Sequence, residues 1–212
     1  MVKKIVFFGP AAAGKTTMRR FLFEGTPAAE LLEQPEPPSI GLKFTRYDYM
    51  LSMPARGKAD DHVAVQEKLP VDLALVDTSG QEMEKWIIEA KDRVFSKADI
   101  VFFFFDASQW DDPASQEYIM DFISFTDDAR IELAPDSEFH VVAHKCDTII
   151  GGLSGTDALE RRVRGSLTDF LFKKKGMMLD YKVHATSIVE PFCDGTFMRF
   201  MQLVTDDYSD VT

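Results

Sequence analysis

An eight-residue segment near the start of the chain, GPAAAGKT from Gly9 to Thr16, constrains the fold more than any other feature. It follows a short apolar run, residues 5–8, and precedes a helical pattern that extends to Glu24. A strand, a GxxxxGK[ST] loop and a helix in this order form a phosphate-binding loop. Glycines let the consecutive N–H groups of such a loop turn inward at the helix N-terminus, where they attract an anion. The segment therefore predicts a nucleotide site.

The side chains and backbone of this loop have separate predicted roles. Lys15 supplies a positive charge for the β- and γ-phosphates and is a candidate catalytic residue, and the hydroxyl of Thr16 is a candidate ligand of Mg²⁺. The other predicted contacts with the nucleotide come from Gly9, Ala11, Ala12, Ala13, Gly14 and Thr17. We expect the loop backbone to provide most of these contacts, since an inward-facing N–H group needs no particular side chain.

Strand and helix patterns alternate along the rest of the chain. Most of the strand segments contain apolar runs, as in strands buried on both faces of a parallel sheet. Residues 44–50 instead alternate, which suggests an edge strand. The predicted strands are residues 3–9, 44–52, 71–77, 100–106, 139–144 and 181–186, and the predicted helices are residues 15–24, 82–96, 113–134, 156–175 and 191–204. This order predicts an open, six-stranded, mostly parallel α/β sheet with one antiparallel edge strand and helices on both faces.

Two segments lack a regular pattern. Residues 25–40 contain four prolines, so they are predicted not to form a single regular element. Residues 53–68 contain a glycine and clustered charges, and they are predicted to form a loop or flexible insert. The length of the chain fits one domain, which we place at residues 1–205, followed by a short acidic tail at residues 206–212.

The composition argues against several partners and locations. A formal net charge of −11 repels nucleic acid and anionic lipid headgroups, so neither is expected as a direct partner. The longest apolar run, Ile100 to Phe105, is too short to span a bilayer, and we find no lipidation motif, so no direct membrane anchor is expected. The two cysteines, Cys146 and Cys193, have no metal-ligand spacing, which indicates a reducing, cytoplasmic setting.

A second motif, DTSGQ, follows the predicted strand at residues 71–76. An acid at the tip of this strand, Asp77, can order the Mg²⁺ shell, usually through water. Gly80 leaves room for its N–H to approach a γ-phosphate, and Gln81 can orient the attacking water, which makes it the second candidate catalytic residue. Trp86, just downstream, either faces a partner or packs beneath this switch segment. The alternative for the whole motif is a strand-ending acid followed by a turn.

The third motif, HKCD, directly follows the predicted strand at residues 139–143. The carboxylate of Asp147 can accept hydrogen bonds from N1–H and the 2-amino group of guanine, a pair of donors that adenine lacks. The stem of Lys145 can lie on the base plane. A ring N–H of His144 can tie this loop to the phosphate loop, although a histidine at a strand end is more often a structural residue. The motif predicts a preference for guanine nucleotides.

A fourth segment follows the last predicted strand, where a backbone N–H can bond O6 of guanine. Its residues are Thr186, Ser187 and Ile188. The four segments, in this order and spacing, resemble a Ras-like small GTPase over nearly the whole chain. Three details resemble the Rag/Gtr branch of that family: the histidine of His-Lys-x-Asp where Asn-Lys-x-Asp is more common, Thr-Ser-Ile after the last strand, and a first helix that reads GKTTMR from Gly14 to Arg19.

The resemblance implies the phosphate-loop fold of small G proteins and a switch that binds GTP and Mg²⁺ and hydrolyses GTP to GDP. In the family a hydroxyl of the first switch also binds the metal. The best local match is Ser39, with Thr45 as a competitor inside a predicted strand, so the predicted metal ligands are Thr16, Ser39 and Asp77. Rag-family chains continue into a roadblock-type pairing domain that this sequence does not contain, so we expect such pairing to be absent or supplied in trans.

The sequence departs from the family pattern in its phosphate loop. Ala11, Ala12 and Ala13 replace the more usual Gly or Ser, and their methyl groups are expected to crowd the catalytic water. No arginine is placed as a built-in finger, so slow turnover and stimulation by a partner are expected. The implied partners are an activating protein, an exchange factor and an effector, and either a roadblock-type protein or a second GTPase.

Two other functions are compatible with a phosphate loop. One is a binding scaffold that the nucleotide merely stabilises, with incidental hydrolysis; the alanines and the unclear first switch favour it. The other is a nucleotide kinase, which the motifs that begin at Asp77 and His144 and the lack of an arginine-rich lid argue against.

Overall fold

The computed structural model describes residues 2–34, 37, 40–54, 66–176 and 178–205, with the backbone alone at residues 49–54 and 66–71. Its strands are β1 (Val2–Phe8), β2 (Leu42–Pro54), β3 (Gln66–Thr78), β4 (Ile100–Asp106), β5 (Glu138–His144) and β6 (Lys182–Thr186). They form one sheet in the order β2-β3-β1-β4-β5-β6. Among the strands of the described residues, β2 alone is antiparallel to its neighbour, and it lies at the edge. The predicted mostly parallel sheet with an antiparallel edge strand is confirmed.

Helices cover both faces of the sheet, as predicted. They are α1 (Lys15–Phe23), α2 (Ala28–Glu33), α3 (Met83–Ile88), α4 (Lys91–Phe95), α5 (Pro113–Leu133), α6 (Thr156–Phe170) and α7 (Cys193–Thr205). Buried side chains of α1, α2 and α7 pack on one face, and those of α3 to α6 pack on the other. The sheet is therefore the middle layer of three, with an apolar core on each side.

Strand β4 explains why its sequence is apolar without a break. Phe103 and Phe105 join the core on one face, while Phe102 and Phe104 join the core on the other, and all four are fully buried. Successive side chains of a strand point to opposite faces, so a strand covered on both sides needs apolar residues at every position. Each buried phenylalanine contributes about 1.5–3 kcal/mol of hydrophobic stabilisation. This central strand anchors the sheet edge from which the functional loops emerge.

Strands β2 and β3 are longer than predicted. Their antiparallel register runs from Leu42 opposite Thr78 to Pro54 opposite Gln66. Residues 53–54 and 66–68 of the predicted 53–68 loop therefore belong to strands, and the remainder of that loop lies outside the described residues. The residues added beyond the predicted bounds mix polar, charged and apolar types and form no continuous apolar run. An antiparallel ladder is satisfied by its own hydrogen bonds, so it can continue without burying both faces.

Helix boundaries differ from the predicted ones at three places. The segment 25–40 contains the helix α2, which begins after Pro27. The predicted helix 82–96 is divided into α3 and α4, because the backbone leaves the helical path at Ala90. The predicted helix 156–175 ends as α6 at Phe170 and continues as a π-helical turn over Leu171–Lys175. The predicted tail, residues 206–212, lies outside the described residues.

Candidate nucleotide site

The four motifs meet at one edge of the sheet. Parallel strands place their carboxyl ends together, and each motif follows one of these ends. A cleft of about 390 Å³ opens there. Its lining includes Ala11, Ala12, Ala13, Gly14, Lys15, Thr16, Thr17, Gly80, Gln81, His144, Lys145, Asp147, Ser187 and Ile188, all of them predicted site residues. Gly9, Asp77 and Thr186 are not part of this lining, and the predicted ligand Ser39 lies outside the described residues.

Two glycines of the phosphate loop occupy positions that no other residue could take without distortion. Gly9 has φ 133°, and a Cβ there would lie 2.0 Å from the carbonyl oxygen of Phe104. Gly14 has φ 86°, and a Cβ there would lie 2.4 Å from Cδ2 of His144. Ala12 also has a left-handed backbone, with φ 61°, which is strained for a residue with a side chain. The loop is thus compressed between β4 and the loop that begins at His144.

Lys15 lies across the mouth of the phosphate loop. Its Nζ donates to the carbonyl oxygens of Gly9, at 2.7 Å, and Pro10, at 2.8 Å. Burial lowers the pKa of Lys15 to about 8, and the nearby carboxylate of Asp77 opposes this shift. The side chain is therefore a buried cation with incomplete charge compensation. An anionic phosphate would supply the missing charge.

Asp77 and Thr16 form the oxygen-rich part of the site. The Thr16 hydroxyl donates to Oδ2 of Asp77 at 3.2 Å, and Nε of Arg19 lies 3.4 Å from the same oxygen. Burial raises the pKa of Asp77, while Lys15 and Arg19 oppose the shift. The other oxygen, Oδ1, is buried without a hydrogen-bond partner among the described residues. A hydroxyl beside a buried carboxylate oxygen fits a hard cation such as Mg²⁺, which prefers oxygen and keeps several waters.

The described part of the chain contains no group of three or more His, Cys, Asp or Glu side chains that could hold a metal. A phosphate-loop magnesium site does not need one. There the ion is held by one or two protein oxygens together with phosphate oxygens and waters. The oxygens of Thr16 and Asp77 are therefore of the type and number that such a magnesium site needs from the protein.

The second motif packs directly on the phosphate loop. A Cβ at Gly80 would lie 2.1 Å from the backbone nitrogen of Ala11 and 2.3 Å from the carbonyl carbon of Pro10. The side chain of the next residue, Gln81, is exposed and lines the cleft. Trp86 is buried, and its Nε1 donates to the carbonyl oxygen of Ser79 at 3.0 Å. Of the two interpretations of Trp86, packing beneath the switch segment is the one observed.

The third motif contains both satisfied and unsatisfied polar groups. Nζ of Lys145 donates to the carbonyl oxygen of Ala12 at 2.7 Å and to Oδ2 of Asp106 at 2.8 Å. Oδ1 of Asp147 is buried, and no described residue hydrogen-bonds to it. A buried carboxylate oxygen without a donor is unfavourable by about 1–3 kcal/mol. This oxygen is thus a position where a ligand donor would be stabilising.

His144 ties the third motif to the fourth segment. Its Nδ1 is 3.0 Å from the hydroxyl of Thr186, and its ring packs against Gly14. The expected hydrogen bond from the ring to the phosphate loop is thus replaced by packing, while Nδ1 pairs with β6. Burial lowers the pKa of His144 to about 4, so the ring is neutral at pH 7. The histidine joins three segments of the site and carries no charge there.

In the fourth segment, the backbone N–H of Ser187 already has a hydrogen-bond partner within the protein. The N–H of Ser187 donates to the hydroxyl of Thr196 at 3.2 Å, and the Ser187 hydroxyl accepts from the N–H of Val189 at 3.0 Å. Ile188, between them, is buried in the wall of the cleft. The segment is therefore held in place by α7 and its own turn.

Several residues that sequence reasoning missed also contribute to this region. Leu31 and Leu32 of α2, together with Pro37, line the cleft, but a proline-rich segment gave no signal for them. Arg19 was noted only as part of the first helix, yet its buried side chain reaches Asp77 and Tyr47. Asp106, which accepts a hydrogen bond from Lys145, was also missed; its position as an acid at the end of a strand was the available signal.

The comparison with protein families gives a match over almost the whole chain. A family model described as the Gtr1/RagA G protein conserved region matches residues 4–205. A search of curated proteins gave no match. Within the described ranges, no helix is both long and apolar enough to cross a bilayer.

Proposed function

The chain belongs to the Gtr1/RagA family of G proteins, and we propose that it is a molecular switch that hydrolyses GTP slowly under the control of partner proteins. As a member of this family it is a GTP-binding GTPase. The slow rate, the partner control and the roles of individual residues are the proposal. It assigns residues 1–205 to one G domain and 206–212 to an acidic tail, in a cytoplasmic protein.

The unpaired Oδ1 of Asp147 is the observation that carries the proposal. N1–H and the 2-amino group of guanine are two adjacent donors that match one carboxylate. Adenine offers no such pair, so binding it would leave this oxygen without a donor, which is the usual origin of strong discrimination. The N–H of Ser187 already donates to the hydroxyl of Thr196. We therefore propose that the N–H of Ile188 donates to O6 of guanine.

The phosphate side of the cleft supports the assignment of the other roles. Lys15 and the loop backbone hold the phosphates, and Gly80, which packs closely against the loop, is the proposed sensor of the γ-phosphate through its N–H. Thr16 and a water-bridged Asp77 are the proposed magnesium residues, with Ser39 as a third. Mg²⁺, when bound, neutralises charge on the β- and γ-phosphate oxygens. Phosphoryl transfer then needs positioning and charge stabilisation rather than a protein nucleophile.

Two features of the phosphate side of the cleft support slow turnover of GTP. The side chains of Ala11 and Ala12 are exposed at the loop, where methyl groups crowd an attacking water. No arginine lines the cleft within the described residues, so the charge that an arginine finger stabilises has no built-in partner. Supply of such a group by another protein accelerates GTPases by several orders of magnitude. The proposed partners are an activating protein, an exchange factor, an effector, and a roadblock-type protein or second GTPase.

Single-turnover hydrolysis of GTP tests the proposal. We expect slow release of phosphate by the wild-type protein, and a rate at least about tenfold lower for Gln81→Leu, since the leucine cannot orient water. Glu84→Gln, an exposed change on the next turn, is the control. Equal rates for wild type and Gln81→Leu would remove Gln81 from the mechanism.

A nucleotide-stabilised scaffold is the second candidate, and the loop alanines favour it. In particular, Ala12 keeps a strained left-handed backbone that a glycine would adopt freely. A scaffold binds its partners equally well in the GTP and GDP states, whereas a switch does not. Partner affinity measured in both states separates the two functions.

A further inference from the structure

The strand order brings two functional loops together around the end of β4. The phosphate loop follows β1, which pairs with β4 on one side. The base-reading loop begins after β5, which pairs with β4 on the other side, with Asp106 directly opposite His144. Asp106, the last residue of β4, therefore lies between the loop that holds the phosphates and the loop that reads the base.

The ammonium group of Lys145 connects these two loops at this point. It donates to the carbonyl oxygen of Ala12 in the phosphate loop, at 2.7 Å, and to Oδ2 of Asp106, at 2.8 Å. Both Lys145 and Ala12 have left-handed backbones, with φ 58° and 61°. Such conformations persist where surrounding contacts enforce them. The bond to Ala12 is a contact of this kind, because it holds the two strained segments against each other, and the bond to Asp106 fixes the ammonium group that makes it.

The carboxylate of Asp106 is itself held in one orientation. Its Oδ1 accepts from the N–H of Ser108, at 3.0 Å, and from the Ser108 hydroxyl, at 2.7 Å. This pair of bonds caps the short turn Ala107–Asp111 and leaves Oδ2 directed at Lys145. Burial alone would raise the pKa of Asp106, but hydrogen bonds from Lys145 and Ser108 outweigh it and leave the pKa below its usual value. The group is thus a fixed anion beside the lysine.

We infer that Asp106 is a positioning residue for guanine-nucleotide binding, acting through Lys145. By fixing the ammonium against the carbonyl of Ala12, it stretches the lysine stem along the wall of the cleft, where apolar methylenes can lie on the base plane. It also joins the phosphate loop to the base-reading loop, so that both release the nucleotide together. The inference rests on the proposed function, since it describes the same cleft.

A purely structural role is the competing explanation, since Asp106 also caps a turn. The two roles predict different coupling between residues. If Asp106 acts through Lys145, removing the Asp106 carboxylate does not change nucleotide release any further once the lysine side chain is gone. If it only caps the turn, the two substitutions add, as they do for independent sites.

The dissociation rate of a fluorescent GDP analogue, chased with excess GDP, measures this coupling in a double-mutant cycle. We expect Asp106→Ala to release the nucleotide about tenfold faster than wild type, as the loss of one charge-assisted hydrogen bond implies. Lys145→Ala is expected to be at least as fast. The double variant is expected to match Lys145→Ala alone.

The matched control is Asp112→Ala. Asp112 is also a capping aspartate, since it accepts from the N–H of Ser115 at 2.8 Å at the start of α5, but it belongs to no loop of the cleft. Its variant is expected to lose a similar amount of thermal stability and to keep the wild-type release rate. Asp106→Asn keeps an acceptor for Ser108 and removes the charge, and we expect an intermediate rate if Asp106→Ala does not fold.

Two results would overturn the inference. One is a wild-type release rate in Asp106→Ala and Asp106→Asn. The other is a double variant whose fold-increase in release rate equals the product of the fold-increases of Asp106→Ala and Lys145→Ala. A wild-type protein that binds no GDP would contradict the proposed function itself. That outcome is distinct, because it is visible before any variant is made.

Discussion

In the wall of the cleft that faces the base, hydrogen bonds join one loop or strand to another, whereas the segment of Gly80 and Gln81, beside the terminal phosphate, meets the phosphate loop by packing. On the base side, His144 bonds Thr186 and Lys145 bonds Asp106. On the phosphate side, Gly80 is pressed against Ala11, and the side chain of Gln81 is exposed. A fixed wall favours recognition, and a wall free to rearrange favours a response to the γ-phosphate.

The largest effect on this contrast is expected from Gly80→Ala. An added Cβ would lie 2.1 Å from the backbone nitrogen of Ala11, so the switch segment must move away from the loop. We expect hydrolysis to fall about a hundredfold, the typical loss when one backbone donor to a transition state is removed. GDP affinity, measured by titration, is expected to change little because the base wall is untouched. A similar loss of GDP affinity would show that the two walls are not separate.

The second effect is a loss of stability at low pH through His144, in the wall that faces the guanine base. The buried ring of His144 is neutral, since burial lowers its pKa to about 4, whereas in the unfolded chain it binds a proton near pH 6.5. Its contribution to stability is therefore full above pH 6.5 and is lost as the pH falls toward 4, by about 1.4 kcal/mol per unit. The buried pair of His140 and His184, with Nδ1 and Nε2 2.9 Å apart, also has lowered pKa values and adds to this loss.

Denaturant unfolding of wild type and His144→Asn between pH 7 and pH 4.5 measures this second effect. The variant is expected to be less stable at pH 7 and to lose stability less steeply on acidification, since one titrating group is gone. Parallel curves for the two proteins would indicate that the ring is protonated in the folded state or does not titrate in this range.

The smallest effect is expected from Ile88→Ser at the end of α3. Ile88 is 75% exposed, so its replacement should change the free energy of unfolding by no more than about 0.5 kcal/mol and leave GDP release unchanged. Trp86→Ala, two residues earlier, removes a buried ring and is the contrasting variant, with an expected loss of about 3–5 kcal/mol. Chemical denaturation of both variants shows whether α3 stabilises the protein through its buried side, at Trp86, and not through its exposed side, at Ile88.

Much of the fold follows from the sequence because its elements are locally encoded. The run Phe102 to Phe105 requires a strand covered on both faces, and the glycines of the phosphate loop require the turn that compresses it. The extra length of β2 and β3 was not predictable in the same way, since the added residues form no continuous apolar run. The helix α2 was hidden for a related reason: its flanking prolines obscured a short helix-forming stretch.

The candidate site was predictable where a motif specifies a backbone shape, and less so where side chains meet across the sheet. The lining residues of the phosphate loop are contiguous, so one motif reveals them. The partners of Lys145 and of Asp77, which are Asp106 and Arg19, come from other elements and are set by the strand register and the direction of α1. Such pairs follow from tertiary packing and not from local spacing. The ligand predicted at Ser39 remains a prediction.

Recognition of guanine through Asp147 is the central claim, and one measurement tests it most directly. GDP and xanthosine diphosphate are titrated into wild type and Asp147→Asn. We predict that the variant loses about a hundredfold or more in GDP affinity and gains affinity for the xanthine nucleotide, because the amide N–H can donate to the oxygen at position 2. Unchanged tight binding of GDP by Asp147→Asn would contradict the account.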